Sequence, residues 1–336
     1  MLVQPPAKSL VGGSERAPRG QVDSRMKLRD NGAVSEQNPI TLDEARRPRP
    51  ASAALTKTGG FLAGFTHTLQ PYIGCRFGCE YCYVKALSVH QFHQPPLAWG
   101  EYVHPRTGIA EKLRKELARA QARGELDALA IFMSSATDPY QAAERRWRLS
   151  RACLEVFADY PPGLLMVQTR SPLVADDFAR LARLGTRCWL SFTVETDRDE
   201  VRRALTPRCP AIAQRLETIA AARAHGLNVQ VAVSPCLPYS DVETFGAQLV
   251  ELAGRVVVDT YTSGDGQAGI RTARTGVAGR YAAQGWGDWR SEGAAQALYA
   301  WLSARIGARA GWSQAGFSAL ARSVTCVAPA QTAVVS

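Results

Sequence analysis

Residues 65–83 read FTHTLQPYIGCRFGCEYCY, a β-prone run that passes directly into Cys75, Cys79 and Cys82. The β-branched and aromatic residues of 65–73 predict a strand. The cysteines then follow in the spacing C-x3-C-x2-C, three of the chain's eight within eight residues. Thiols this close in sequence converge on one metal centre only through a tight loop. Gly74 and Gly78 place permissive backbone where such turns are needed. The stretch reads as a metal-binding loop at the C-terminal end of a strand.

Downstream of it, strand and helix signals alternate. Residues 107–123 carry Ile109, Leu113 and Leu117 at helical spacing and stop at Gly124, and 128–133 (ALAIFM) is an apolar run suited to a buried parallel strand. Helices are then expected at 142–158, 174–184, 211–224 and 242–252, with strands at 164–168, 188–194, 228–233 and 255–259. Six alternations of this kind build a parallel sheet with helices outside, closed as a barrel or open. Function then collects at the strands' C-terminal ends. Polar and reactive residues stand there: the cysteines, residues 134–138 (SSATD), Thr169-Arg170-Ser171, Glu195 and Ser234-Pro235-Cys236.

The flanks read differently. Residues 1–59 lack sustained periodicity, contain the basic cluster Arg46-Arg47-Pro48-Arg49-Pro50, and are expected to form a mobile, largely irregular tail. Residues 60–262 form the expected core domain. Residues 263–336 are expected to be a C-terminal extension with a glycine-rich loop over the site and one helix at 293–306.

Composition narrows the class. A chain of 336 residues, 46% of them hydrophobic, suits a globular enzyme and excludes a disordered one. No apolar run of about 18 residues occurs, and the N-terminus lacks the order of a secretory signal, so the expectation is a cytoplasmic protein without a membrane span. In a reducing compartment, clustered cysteines favour metal or catalytic roles over disulfides. The net charge of +10 and a pI near 9.4 suit a polyanionic partner. No lysine follows Lys115, however, and the basic excess is arginine scattered along helices. Nucleic acid is therefore a candidate partner on charge alone.

Three cysteines admit two metal readings. A closed zinc site needs a fourth ligand, for which His90 and His93 are nearest, at spacings unlike a zinc finger. An iron–sulfur cluster on three thiolates leaves one iron without a protein ligand, open to a small molecule. The second is favoured, with zinc the minor alternative.

The C-x3-C-x2-C loop after a first strand, with Tyr81 before the last cysteine, resembles the signature of the radical S-adenosylmethionine (SAM) enzymes. Thr137-Asp138-Pro139-Tyr140-Gln141 with Glu144, then Thr169-Arg170-Ser171, resemble the spore photoproduct lyase-like, or DNA repair photolyase-like, branch over roughly 60–260. The resemblance implies an α/β fold, a partial TIM barrel of (β/α)6 type, with a [4Fe–4S] cluster on Cys75, Cys79 and Cys82. It implies that SAM chelates the open iron and is reductively cleaved to methionine and a 5′-deoxyadenosyl radical that takes hydrogen from substrate. By motif position it puts Tyr81 near the adenine, Thr137 and Asp138 near the methionyl end, Arg170 and Ser191 near the carboxylate or ribose, and Glu195 near a ribose hydroxyl. An electron donor such as flavodoxin or ferredoxin is the implied partner, and a monomer the expected state. One departure stands out. The segment where spore photoproduct lyases are expected to carry a hydrogen-donating cysteine is here Ser134-Ser135-Ala136, and Cys236 is a substitute by position only. Each site residue also has a plainer reading: Tyr81 as loop packing, Asp138 as a helix cap, and Arg170 as a partner of Asp176 or Asp177. Cys153, Cys188, Cys209 and Cys326 read as small buried side chains. The alternative function is a non-catalytic metal-loop protein that binds nucleic acid.

Overall fold

The computed structural model describes residues 46–325, apart from 92, 94 and 95. Seven parallel strands run side by side in chain order: β1 (His67–Leu69), β2 (Ala130–Met133), β3 (Leu164–Thr169), β4 (Cys188–Thr193), β5 (Asn228–Val233), β6 (Arg255–Val258) and β7 (Ala310–Trp312). Leu55–Lys57 adds an antiparallel edge on β1. The helices longer than a single turn are α1 (Ile109–Ala122), α2 (Leu149–Asp159), α3 (Phe178–Ala182), α4 (Asp199–Leu205), α5 (Ile212–Ala224), α6 (Val242–Leu252), α7 (Val277–Gln284), α8 (Gly293–Ile306) and α9 (Ser313–Thr325). The ladder does not close on itself, so the fold is the partial barrel that the resemblance implies, with β7 as a seventh strand beyond the six.

Side chains alternate across this sheet, as the two-residue repeat of a strand requires. On the outer face Ile131, Met133, Leu165, Val167, Leu190, Phe192, Val229, Val231, Val256 and Val258 join helix residues such as Leu113, Leu117, Phe157, Ile219, Phe245 and Leu298 in the main core. On the inner face Ala130, Phe132, Leu164, Met166, Ala232 and Val257 form a second core with Phe317 and Ala321 of α9. The C-terminal helix thus turns back from β7 and packs inside the curve of the barrel.

That packing depends on missing side chains. A Cβ on Gly316 would stand 2.7 Å from the carbonyl carbon of Gly311 and 2.9 Å from Val257 Cγ1, closer than packed carbons approach. Arg255 ties the same helix to the inner face through polar contacts. Its Nη2 donates to Gly316 O at 2.8 Å and its Nε to Gln230 Oε1 at 3.0 Å.

Several expectations change at this level. The extension at 263–336 contributes β7, α7 and α9 as well as the helix at Gly293–Ile306, so it completes the barrel instead of hanging from it. Isolated glycines and short apolar pieces hid this, because α9 is recognisable as a buried helix only once a concave face is there to receive it. The expected helix at 142–158 is broken at Arg148, which takes φ 49°, into Glu144–Trp147 and α2. Residues 1–45 of the expected tail lie outside the described residues, but Arg49–Pro50 pairs with His104–Thr107 and Leu55–Lys57 pairs with β1, so order begins before residue 60. Among the described residues no helix is long and apolar enough to cross a membrane.

Candidate functional site: a cysteine loop on an internal cavity

A cavity of about 590 Å³ opens at the C-terminal ends of the strands. Cys75, Cys79 and Cys82 line it together, on a loop that follows the short strand Tyr72–Ile73, which pairs antiparallel with His104–Thr107. Gly74 and Gly78 take φ of +82° and +57° there, in the left-handed region that costs glycine little. At Gly74 a Cβ would also overlap the ring of Tyr102. Gln141 braces the loop on both sides of Cys75: its Oε1 accepts from Arg76 N at 3.0 Å and its Nε2 donates to Gly74 O at 3.2 Å. The sequence marked Gln141 as part of a motif without a role. Its role is to satisfy backbone groups that an irregular buried loop would otherwise leave unpaired.

Burial, with the Asp138 carboxylate adding to it, pushes the Cys75 thiol up to about 12, and burial pushes Cys82 up to about 11. Such thiols keep their protons until a metal displaces them. Among the described residues no three His, Cys, Asp or Glu stand close enough to share one ion. His93 instead meets His104, Nε2 to Nε2 at 2.7 Å, in a ring stack with Tyr102. The three thiols that share the cavity lining are the residues that would hold an iron–sulfur cluster.

Asp138, at the end of the loop after β2, is buried with three donors on its carboxylate: Tyr140 N at 2.8 Å, Thr169 Oγ1 at 2.8 Å and Arg170 N at 2.9 Å. It closes a turn and pins β3's end to β2's; it is not the helix cap of the plainer reading, because the next helix begins only at Glu144 with Ala143 at its N-cap. Burial raises its pKa, against the pull of those hydrogen bonds. Thr137 also lines the cavity and donates to Gln70 Oε1 at 3.2 Å.

Tyr81, Arg170 and Glu195 form one buried group. The Tyr81 hydroxyl donates to Glu195 Oε1 at 2.6 Å, and Arg170 Nη1 reaches the same oxygen at 2.5 Å. Arg215, which the sequence reading missed, donates to Glu195 Oε2 at 2.6 Å. Burial alone would raise the Glu195 pKa, but the two guanidiniums and Tyr81 outweigh it and bring the carboxylate down to about 2. Arg170 therefore pairs with Glu195, and it is Arg151 that takes Asp177, at 2.8 Å. Arg215 was hidden because it lies on α5, outside any motif, among residues read only for helical periodicity.

Ser191 stands inside the barrel one layer below the cavity, accepting from Gln230 Nε2 at 3.0 Å. The next inward residue on β4, Thr193, lines the cavity and accepts from Gln168 Nε2 at 2.6 Å. Three buried polar atoms on or at this cavity lack a protein partner: Ser134 Oγ, Gln168 Oε1 and Asp259 Oδ1. Unpaired buried polar groups of this kind are costly, and a polar ligand would satisfy them. Cys236 packs against the main core and is not among the cavity-lining residues. Cys209 is buried as expected, but beside the site, its Sγ 3.9 Å from Cys79 Sγ.

Residues 69–247, more than half of the chain, match the family profile of the radical SAM superfamily. The chain belongs to the radical SAM superfamily. Enzymes of this superfamily use a [4Fe–4S] cluster and SAM and require an electron donor, and the loop, the three thiols and a cavity lined by both polar and apolar side chains fit such a pair of cofactors. Curated relatives include an uncharacterized protein of Mycobacterium tuberculosis (strain ATCC 25618 / H37Rv), 29% identical over 57% of this chain and 55% of the relative. An uncharacterized protein of Acidianus two-tailed virus is 29% identical over 56% of this chain and 61% of the relative. The chain thus spans about half the length of the curated relatives it matches. Among solved structures, a spore photoproduct lyase with a tyrosine-to-phenylalanine substitution aligns over 85% of this chain and 88% of its own, with TM-score 0.53 and 13% identity. A spore photoproduct lyase double mutant with bound AdoMet and dinucleoside spore photoproduct aligns over 74% and 76%, with TM-score 0.52 and 14% identity. These likenesses are of fold.

Proposed function

We propose that this radical SAM enzyme binds its cluster through Cys75, Cys79 and Cys82, holds SAM in the adjoining cavity, and abstracts hydrogen from a substrate that enters the same cavity. The observation that carries the reading is the convergence of three thiols and several unpartnered polar atoms on one cavity of about 590 Å³. When bound, the reduced cluster supplies the electron that cleaves SAM into methionine and a 5′-deoxyadenosyl radical.

The chain's own residues do the rest. Thr137 and Arg170, on the cavity wall, contact SAM, together with Tyr81, whose ring packs edge-on against Tyr261 at 5.8 Å. Asp138, itself on the lining, holds the Arg170 backbone, and Glu195 serves the SAM site from behind through Tyr81 and Arg170, whereas Ser191 and its partner Gln230 stand off the lining. The apolar floor of Phe132 and Phe317 keeps water from the reacting atoms.

For the substrate, nucleic acid is the favoured class. The net charge of +10, Lys57 and Arg271 on the cavity lining, and the dinucleoside named for a protein of like fold support it. Reversal of a thymine dimer by a thiol hydrogen donor is not supported. Among the described residues the cavity's thiols are Cys75, Cys79 and Cys82, all assigned to the cluster.

Anaerobic reconstitution with iron and sulfide, followed by reduction in the presence of SAM, tests the reading. Cluster absorption and 5′-deoxyadenosine are expected from the wild type, with both lost in Cys79→Ala. A fully active Cys79→Ala would overturn the ligand assignment. Oligonucleotide affinity that falls steeply with salt would support the substrate class, and absence of binding at low salt would refute it.

A further inference from the structure

Arg170 is set against the sulfur of a cluster ligand. Its Nη1 lies 3.3 Å from Cys79 Sγ, within reach of an N–H···S hydrogen bond, and 3.9 Å from Cys209 Sγ. The same nitrogen is held by Glu195 Oε1 at 2.5 Å and by the Tyr81 oxygen at 3.1 Å. Glu195 in turn is shared with Arg215, whose side chain is 1% exposed. Two guanidiniums on one carboxylate leave this buried group with one net positive charge, and Arg170 is the member that touches the thiol.

We infer that Arg170 is a positioning residue for the cluster: it donates to the Cys79 thiolate, fixes that sulfur, and raises the cluster's reduction potential, with Glu195 and Arg215 holding it in place. The inference rests on Cys79 being a ligand, as proposed above. The physics is direct. Reduction adds a negative charge to the cluster, and a cation and hydrogen-bond donor at a ligand sulfur stabilise that charge most where water is excluded. The carboxylate does not cancel the effect, because its other oxygen is committed to Arg215.

The test uses the full chain, with iron and sulfide content measured first. A wild type without a cluster counts against the ligand reading itself. With a cluster loaded in both proteins, Arg170→Met should be reduced about tenfold less readily than wild type, a midpoint lower by about 59 mV for one electron. Arg170→Lys should recover part of that shift. An Arg170→Met cluster that titrates at the wild-type potential overturns the inference. A second measurement does not depend on how Arg170→Met folds. Wild type grown on 15N-arginine and reduced without SAM should show a 15N coupling to the cluster by pulsed electron paramagnetic resonance, lost in labelled Arg170→Lys. No coupling in wild type, or coupling that persists in Arg170→Lys, would refute it.

Discussion

Glu195→Gln is expected to destabilise the protein in a way that acid removes. The carboxylate is buried between Arg170 and Arg215, and its pKa falls from an ordinary 4.5 to about 2. At about 1.36 kcal/mol per unit, that drop corresponds to roughly 3 kcal/mol of stability near neutral pH. The same order follows from breaking a buried ion pair by removing one partner. A depressed carboxylate contributes fully above its unfolded pKa. The contribution declines as pH falls through the window from 4.5 to 2 and is gone below it. Thermal unfolding of metal-free, reduced protein should therefore show Glu195→Gln melting about 5 °C below wild type at pH 7. The two should converge as the pH approaches 2, where the glutamate is neutral and close in shape to glutamine. A gap that stays constant from pH 7 to pH 2.5, or no gap at pH 7, would refute the assignment of this triad as a charged, mutually stabilising group.

Asp259 predicts the opposite sign. Burial raises its pKa from 3.8 to about 6, so the folded state holds a proton that the unfolded chain has released between those values, and stability falls as pH rises through that range. Asp259→Asn should be more stable than wild type at pH 8 by up to about 3 kcal/mol and equal to it at pH 3.5, read as melting temperatures; a variant less stable at pH 8 would contradict this. Gln141→Leu strips the partners from Arg76 N and Gly74 O at a cost of roughly 1–3 kcal/mol, and should lose iron to a chelator faster than wild type while the distant core melts nearly unchanged. An unaltered rate of iron loss would show that the brace is dispensable. Gly316→Val places branched carbons against Gly311 and Val257 and should lower the midpoint of urea unfolding by an amount equivalent to about 1–3 kcal/mol or more, and a neutral result would mean α9 can shift along the barrel wall.

Much of the fold was legible because it rests on short-range patterns. Continuous apolar runs such as 128–133 mark strands buried on both faces, and the strand Asn228–Val233 and the helices Val242–Leu252 and Gly293–Ile306 fall where periodicity put them. The cysteine loop was legible because its spacing is local. What stayed hidden depends on partners distant in sequence. Arg215 meets Glu195 across 20 residues, Cys209 meets Cys79 across 130, and neither looks unusual in its own segment. Helix α9 was hidden for a related reason: its small residues Gly316 and Ser318 weaken a helix read alone, and they are there because the barrel wall approaches so closely.

The closure by α9 also bears on the chemistry. A partial barrel leaves its inner face open on one side, and a radical made there must be kept from water and from stray hydrogen donors. Phe317 of α9 reaches the cavity while Ala321, further along the helix, belongs to the inner core, so one element both fills the bore and floors the site. Asp259, at the top of β6 and on the cavity lining, stands close to Ser313 at the start of this helix. A polar ligand that satisfied Asp259 Oδ1 would therefore act at the point where the helix is anchored. A ligand on Asp259 would in this way couple the filling of the cavity to the position of its floor. The substitution that relieves its burial is accordingly expected to raise stability at alkaline pH while weakening the hold on whatever the cavity binds.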